Sequence, residues 1–346
     1  MPSAKRATPV LGTRAPAPVV IHSAPLVLPM CADPLRDGAV VTRGERVLAV
    51  GPRAELLSSF PAAEELRWKG MIVAGMVDAC SALSAAAPGV TARARVVSDL
   101  AESPGFPGIS YVEATSASEE EWEESGRDAV ITAIREVERP FAVGIAAHTR
   151  HPQVLEDVAV LARTFGLRLL VDLDRHSPAA LDEAGVLGPL CHVVCARPLD
   201  PGERKLLRLR KTVVALCPPG PVDALSLLEE GNTVAFCTRD QGPGAWSPLE
   251  LAAAVRRHAR ELGQRPRGLD RRLVEAATLG GARALGMDRG KGRIGTLARG
   301  GRADFAVYDA RGRYPYAALL AAPPCLGTVV GGAISGTGSP PAPAAP

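Results

Sequence analysis

The sequence predicts an α/β protein in which a barrel of alternating strands and helices carries a small β domain built from both ends of the chain. Three observations support this fold class: a length of 346 residues, strand-like runs over residues 19–73 and 295–335, and an alternation of strand and helix patterns between them. The length suggests two domains, or one large domain with an appendage. Strand–helix alternation is typical of a parallel sheet with crossover helices.

The first β region is divided into short strands by turn signals. Its apolar runs are "VVIHSAPLVLP" (19–29), "GAVVTRGERVLAVG" (38–51) and "ELRWKGMIVAG" (65–75). The second β region, "GTLARGGRADFAVYDARG" (295–312) and "GTVVGGAIS" (327–335), has the same character. We therefore predict that the two regions join in space as one β domain.

The middle of the chain alternates between candidate strands and candidate helices. The strand candidates are residues 109–115, 141–147, 167–173, 192–196, 212–216 and 233–237. The helix candidates are residues 119–136, 153–165, 201–210, 249–262 and 271–285. The segment between Leu83 and Phe141 is too short for two complete strand–helix units. The barrel is therefore expected to lack one strand–helix unit.

Composition excludes several classes of partner. The net charge is only +3 and the chain carries no basic block, so nothing favours nucleic acid as a partner. The aromatic content of 4% is low for a surface that stacks on bases. No apolar stretch reaches the roughly 18 residues of a membrane span. The partners that stay open are a small-molecule ligand and further copies of the chain.

The seven cysteines are scattered and odd in number, which is typical of buried, reduced thiols. No apolar segment of signal-peptide type follows the N-terminal basic residues. A cytoplasmic protein is expected. Residues 1–18 and 336–346 are rich in Pro, Ala, Ser and Gly, and both are predicted to be disordered.

Several motifs, in order, resemble the amidohydrolase superfamily, and most closely its imidazolonepropionase, aminodeoxyfutalosine deaminase and chlorohydrolase/cytosine deaminase branch. They are "LRDGAVVTRGERVLAVG" (35–51), "AGMVDACSAL" (74–83), "CP" (217–218) and the ending from 276 to 309. The resemblance is strong over residues 19–83 and 211–335. It implies a TIM-type (β/α) barrel over residues 74–294. It also implies a composite β-sandwich domain formed by residues 19–73 plus 295–335.

The resemblance implies metal-assisted hydrolysis of non-peptide carbon–nitrogen bonds at the C-terminal mouth of the barrel. In the family the metal ligands are a His-x-His pair after strand 1, histidines after strands 5 and 6, and an aspartate after strand 8. Here those positions fall on Cys80 and Ala82, Asp172, Cys195, and Arg239. Ala82 has no ligand atom, and Arg239 brings a fixed cation to the metal position. Hydrolysis is therefore expected to be lost or impaired.

Two further positions could contribute on the substrate side. His148 in "VGIAAHTRH" matches a strand-4 histidine that contacts substrate in the deaminases, and Asp240 follows Arg239. The same stretch, with "ISYVEA" before it, also resembles the early strands of adenosine deaminase. The strand-4 frame is preferred because it leaves four strands for the second half of the barrel.

The cofactor expectation has two branches. No stoichiometric zinc or iron is expected with these residues. The alternative is a rebuilt site, because the strand pattern points Asp172 and Cys195 into the barrel, where Cys80 and Asp240 could join them. Two sulfur and two oxygen ligands suit zinc.

Two hypotheses about function follow. In one, the protein is still a hydrolase with a rebuilt or metal-free site. In the other, it is a non-catalytic binding or regulatory module that uses the barrel as a scaffold. For either, we predict that the Arg239 guanidinium pairs with Asp172 or Asp240 across the barrel mouth. The reason is that an unpaired buried carboxylate is costly.

Overall fold

The computed structural model of the chain describes residues 17–81, 86–97, 107–136, 142–217, 223–239 and 246–335. These residues form two eight-stranded sheets, a mixed sheet and a parallel barrel. The predicted disordered segments fall almost wholly outside the described residues. Within those residues, no helix combines the length and the apolar character that a membrane crossing requires.

The chain begins with a run of strands and one short helix. The elements are β1 (Val19–Leu28), β2 (Leu35–Arg43), β3 (Arg46–Pro52), α1 (Arg53–Ser59), β4 (Glu64–Arg67) and β5 (Met71–Ala74). The β2–β3 hairpin turns at Gly44, whose φ of +52° is a conformation that favours glycine. Antiparallel pairing of β1, β2 and β3 follows from these tight connections.

The barrel strands and their helices come next. The strands are β6 (Met76–Asp78), β7 (Val90–Val97), β8 (Gly108–Ala114), β9 (Ala142–Ala147), β10 (Arg168–Asp172), β11 (Cys191–Cys195), β12 (Val213–Leu216) and β13 (Val234–Phe236). The helices are α2 (Glu119–Glu121) and α3 (Arg127–Glu136), joined by the π-helical turn Trp122–Gly126, then α4 (Pro152–Phe165), α5 (Pro178–Glu183), α6 (Pro201–Leu209), α7 (Ala224–Glu229) and α8 (Pro248–Glu261).

A second helical stretch leads back to the mixed sheet. It contains α9 (Leu269–Glu275), the π-helical turn Ala276–Gly280 and α10 (Gly281–Ala284), followed by β14 (Phe305–Tyr308), α11 (Pro315–Leu319), β15 (Cys325–Val330) and β16 (Ala333–Ser335). Helices α6 and α8 each start at a reciprocal capping box, which Asp200 and Glu203 form in α6.

The two β-rich ends of the chain meet in one sheet, as predicted. Its strand order is β16-β15-β14-β5-β1-β2-β3, and the join is the antiparallel pairing of β5 with β14. The domain predicted as a β-sandwich is thus one hydrogen-bonded sheet. It divides at β1, which pairs with β4 along residues 20–23 and with β5 along residues 26–28.

The barrel strands run parallel in chain order from β6 to β13. The barrel closes where the Ala79 N–H donates to Phe236 O and the Arg239 N–H donates to Cys80 O, both at 3.0 Å. Small and branched side chains fill the interior, among them Val77, Ala92, Ala94, Leu170, Val194, Ala215 and Ala235. Their neighbours in sequence face the outer layer, where they pack against the helices.

The expectation that one strand–helix unit is missing was wrong for the strands, because all eight are present. Strand β7 was not among the predicted strands, because Thr91, Arg93 and Arg95 interrupt its apolar pattern. The short connections are residues 79–89 and 98–107, of which 82–85 and 98–106 lie outside the described residues. Strand β7 packs against β14 and β15 of the mixed sheet. The Gly89 N–H also donates to Thr328 Oγ1 at 2.9 Å.

Candidate functional site at the barrel mouth

The candidate site lies at the C-terminal ends of the barrel strands, where side chains from different strands converge. The polar and ionisable residues there are Asp78 and Cys80 (β6 and after it), Glu113 (β8), His148 (after β9), Asp172 (β10), Cys217 (after β12) and Arg239 (after β13). His148 follows the fourth barrel strand, Asp172 ends the fifth, and Arg239 follows the eighth, and these are the strands to which the resemblance assigned them.

An ion pair between Asp172 and Arg239 joins the fifth and eighth strands across the mouth. Arg239 Nη1 lies 2.5 Å from Asp172 Oδ2, and the side chains are 36% and 4% exposed, respectively. Asp172 points inward because Leu170, two residues earlier, faces the interior. Its other oxygen accepts the Asp174 N–H at 2.9 Å. The predicted pairing of Arg239 with Asp172 is thus present.

Burial and pairing act in opposite directions on Arg239. Burial by itself lowers the pKa of the guanidinium, but the charge of Asp172 and the hydrogen bond to it outweigh burial. The pKa of Arg239 is therefore held above its ordinary value. Arg239 carries a permanent positive charge. It contacts the Asp172 carboxylate at the distance at which a metal ion would otherwise bind that carboxylate.

Cys80 is buried, and that burial decides its chemistry. Loss of solvation, followed by the nearby Asp78 carboxylate, raises the pKa of the Cys80 thiol to about 12. Metal ligation and nucleophilic attack both need the thiolate. At neutral pH this side chain is a thiol.

Cys195 packs in the layer outside the barrel interior, so the expectation that it points into the barrel was wrong. In β11 the inward residues are His192 and Val194, whereas Cys195 packs in the layer between the strands and the helices. Its thiol donates to Arg197 O at 3.1 Å. The motif "CHVVC" alternates correctly, but the motif alone does not show which of its two faces is the interior.

His192 is the side chain that this strand sends inside. Its Nε2–H donates to Ala79 O at 3.0 Å, and its Nδ1 accepts from the Tyr111 hydroxyl at 3.3 Å. Complete burial lowers the pKa of His192 to about 3, so the ring is neutral. We interpret it as a satisfied interior histidine that cross-links three strands.

A histidine–carboxylate pair stands on the opposite side of the mouth. His148 Nδ1 lies 2.9 Å from Glu113 Oε1, with side-chain exposures of 16% and 33%. Glu113 was not identified from the sequence. The available signal was the run "ISYVEA", in which the carboxylate follows an inward tyrosine by two residues and therefore shares its face.

Asp78 is a second residue that the sequence analysis missed. It is buried where the first and last strands meet, and it accepts hydrogen bonds from Thr238 Oγ1 (2.5 Å), Thr238 N (3.0 Å) and Cys80 N (3.2 Å). Burial raises the pKa of Asp78 to about 6, against the lowering effect of these hydrogen bonds. A carboxylate inside the apolar run "GMVDA" was the signal.

The residues described at the mouth do not fit a zinc or iron ion. Asp172 is engaged by a cation, Cys80 is protonated, and Cys195 faces away. Among the residues with described positions, no three His, Cys, Asp or Glu side chains are grouped so that they could hold a metal ion. Ala82 and Asp240, the two remaining positions of the sequence analysis, lie outside the described residues.

Comparison with known proteins gives matches of two kinds. The family model for a bacterial imidazolonepropionase-like composite domain matches residues 38–63. A search of curated proteins gave no match. Solved structures align along nearly the whole chain, although their sequences have diverged far from it.

Three of these structures illustrate the likeness. A zinc-bound adenosine deaminase from Xanthomonas campestris is 18% identical, with a TM-score of 0.74 and coverage of 92% of this chain and 93% of its own. The zinc complex of atrazine chlorohydrolase TrzN from Arthrobacter aurescens TC1 is 16% identical, with a TM-score of 0.75 and coverage of 93% and 96%. Helicobacter pylori aminofutalosine deaminase is 15% identical, with a TM-score of 0.71 and coverage of 92% and 100%. The composite-domain match and these likenesses together show that the chain shares the fold of these hydrolases and deaminases.

Proposed function

We propose that this chain is a non-catalytic relative of the hydrolases of non-peptide carbon–nitrogen bonds. In this proposal an arginine–aspartate pair replaces the metal, and the barrel serves as a binding scaffold. The observation that supports it most directly is the 2.5 Å contact between Arg239 and Asp172. Two of the structural relatives were solved with zinc, and this chain's own donors are what argue against zinc here.

Charge repulsion from Arg239 opposes a divalent ion at the barrel mouth. Two unit charges of the same sign about 4 Å apart repel by about 4 kcal/mol at an effective dielectric constant of 20, and a divalent ion beside Arg239 would meet about twice that repulsion. A complete zinc site contributes about 10–16 kcal/mol because it supplies four good ligands. Among the predicted ligand positions that the structure describes, only Asp172 offers an inward carboxylate. The repulsion between zinc and Arg239 therefore outweighs the binding of zinc by Asp172.

The scaffold function concerns the exposed part of the mouth. About a third of the Arg239 side chain is exposed, and His148 and Glu113 are partly exposed across from it. These groups supply donors, acceptors and a cation to a small polar ligand, which is the partner that we propose. The seven cysteines are all free thiols, and this supports a cytoplasmic location.

The test compares the native chain with a variant that returns a carboxylate to strand 8. The native protein should be purified from zinc-supplemented cells without chelator, and its metal content and hydrolysis of cyclic amidines, amides and aminopurines should be measured. We expect a metal-to-protein ratio far below one and no turnover. Arg239→Asp should bind more zinc than the native chain. A ratio near one in the native protein that Asp172→Ala abolishes would overturn the proposal.

A second candidate function is metal-free acid–base catalysis. It is favoured by the 2.9 Å contact of His148 with Glu113, because a carboxylate that orients an imidazole is the arrangement of a general base. If the native chain turns over any of these compounds in the presence of chelator, His148→Gln should abolish that turnover. Arg239→Lys, which keeps the charge at the mouth, is the matched control.

A further inference from the structure

The composite β domain contains a cavity of about 580 Å³ that shares no lining residue with the barrel mouth. Its charged lining comes from Arg36, Arg67, Lys69 and Arg311, and the rest of the lining comes from Pro25, Leu26, Trp68, Ala310 and Gly312. The cavity is therefore formed by segments from both ends of the chain.

The fold explains why these cations converge. Arg36 is the register partner of Leu26 in the β1–β2 ladder, so both reach the same cavity. Trp68 is turned into the core, where its Nε1–H donates to His22 Nδ1 at 3.3 Å. Its neighbours Arg67 and Lys69 are exposed.

The last cation comes from the far end of the chain. Pairing of β14 with β5 brings Tyr308 opposite Met71, and the chain continues from there to Arg311. Each cation thus depends on a specific element of the composite sheet.

The charges that line the cavity are not balanced. Among its described lining residues four are cations and none is a carboxylate. Two acids outside the lining contact these cations, since Asp37 lies 3.6 Å from Arg67 and Asp309 lies 3.3 Å from Arg311. Neither Arg36 nor Lys69 forms an ion pair with a described residue. An excess of two charges at one place stands out in a chain whose total is +3.

We propose that this cavity binds a small organic phosphate. A phosphate monoester carries about −1.5 to −2 charges at neutral pH, which matches the excess. Arginine forks hold phosphate oxygens by paired, charge-assisted hydrogen bonds. The apolar floor at Pro25 and Leu26 takes the organic group. The ligand joins β1, β2, the β4–β5 connection and the segment after β14.

The test uses phenyl phosphate as the probe, with binding measured by calorimetry at low ionic strength. Arg36→Gln and Arg311→Gln should each weaken binding by about 5- to 20-fold, the range of a lost charge-assisted hydrogen bond at a partly exposed site. Arg43→Gln is the matched control, because Arg43 is also an exposed arginine of β2 but lies outside the lining. It should change binding less than twofold.

Several outcomes would overturn the proposal. They are the absence of binding at millimolar phenyl phosphate, an equal loss in Arg43→Gln, and equally tight binding of inorganic phosphate, which would remove the role of the apolar floor. Far-UV circular dichroism confirms that each variant is folded. The cavity shares no lining residue with the mouth, so this site and the proposed function of the mouth are tested separately.

Discussion

Two buried aspartates at the barrel mouth are stabilised in different ways. Asp172 contacts a guanidinium, whereas Asp78 is held by neutral donors, the hydroxyl and N–H of Thr238 and the N–H of Cys80. For Asp78 burial dominates, and its pKa rises to about 6. The comparison shows that neutral hydrogen bonds satisfy the geometry of a buried carboxylate without fully replacing its lost hydration.

The largest expected effect is the removal of the cation. Arg239→Ala should lower the free energy of unfolding by about 3–4 kcal/mol, because it leaves the buried Asp172 charge unpaired. Urea denaturation at pH 7.5 measures this change. In the double variant Arg239→Ala/Asp172→Asn most of the loss should be recovered. A melting temperature that Arg239→Ala leaves unchanged would show that the pair has no structural role.

The second effect concerns pH. The pKa of Asp78 in the folded state, about 6, lies above the value of 3.8 for an unperturbed aspartate. The folded state therefore binds the proton more tightly, and the stability contributed by protonated Asp78 is present below pH 3.8 and is lost as pH rises to about 6. Asp78→Asn keeps a neutral group there. Relative to the native chain, the variant should gain roughly 2–3 kcal/mol between pH 4 and pH 8.

The free energy of unfolding of both proteins should be measured across that pH range. The difference between the two proteins removes the contributions of the other carboxylates. A difference that is flat with pH would contradict the burial argument. Arg53→Gln is not a suitable control for Asp78→Asn, because it breaks the ion pair between Arg53 and Glu65. Glu119→Gln, which removes an exposed carboxylate at the start of α2, is the control.

A smaller effect is expected at the hydroxyl that contacts Asp78. Thr238→Val keeps the shape of the side chain and the backbone N–H, but removes the 2.5 Å hydrogen bond. It should cost about 1–2 kcal/mol at pH 8. Thr238→Ser should restore most of this stability. An equal loss in Thr238→Ser would mean that packing of the methyl group, and not the hydrogen bond, is responsible.

Much of this site could be predicted from the sequence, and the limits have physical causes. Strand alternation from Leu170 predicts that Asp172 points inward. An arginine at the strand-8 position is expected to pair with a carboxylate, because an unpaired buried charge is costly. Cys195 was given the wrong face because its motif is apolar on both sides. Asp78 depends on Thr238, a partner remote in sequence and brought close only by closure of the barrel.

The same distinction holds for the fold. Parallel strands and their helices have local patterns, so most of the barrel could be predicted. The exception was β7, whose polar residues interrupt its apolar pattern and which packs against β14 and β15 of the composite sheet. The strand was hidden because its outer neighbour comes from the far end of the chain.

The smallest effect is expected at the exposed histidine–carboxylate pair. Glu113→Gln should change the free energy of unfolding by less than about 0.5 kcal/mol, because water screens a pair at this exposure. The Glu113→Gln variant extends the comparison from buried carboxylates to a partly exposed one. A loss comparable with that of Arg239→Ala would contradict the screening of this pair by water.

The pairing of β5 with β14 has a consequence for synthesis on the ribosome. Residues 71–74 emerge early, but their antiparallel partner, residues 305–308, follows only after the whole barrel. At about 5–20 residues per second the delay is roughly 10–50 seconds. During that time an apolar strand edge is open to pairing with other chains. Nascent chains of this protein should therefore depend on chaperones until their final strands are made.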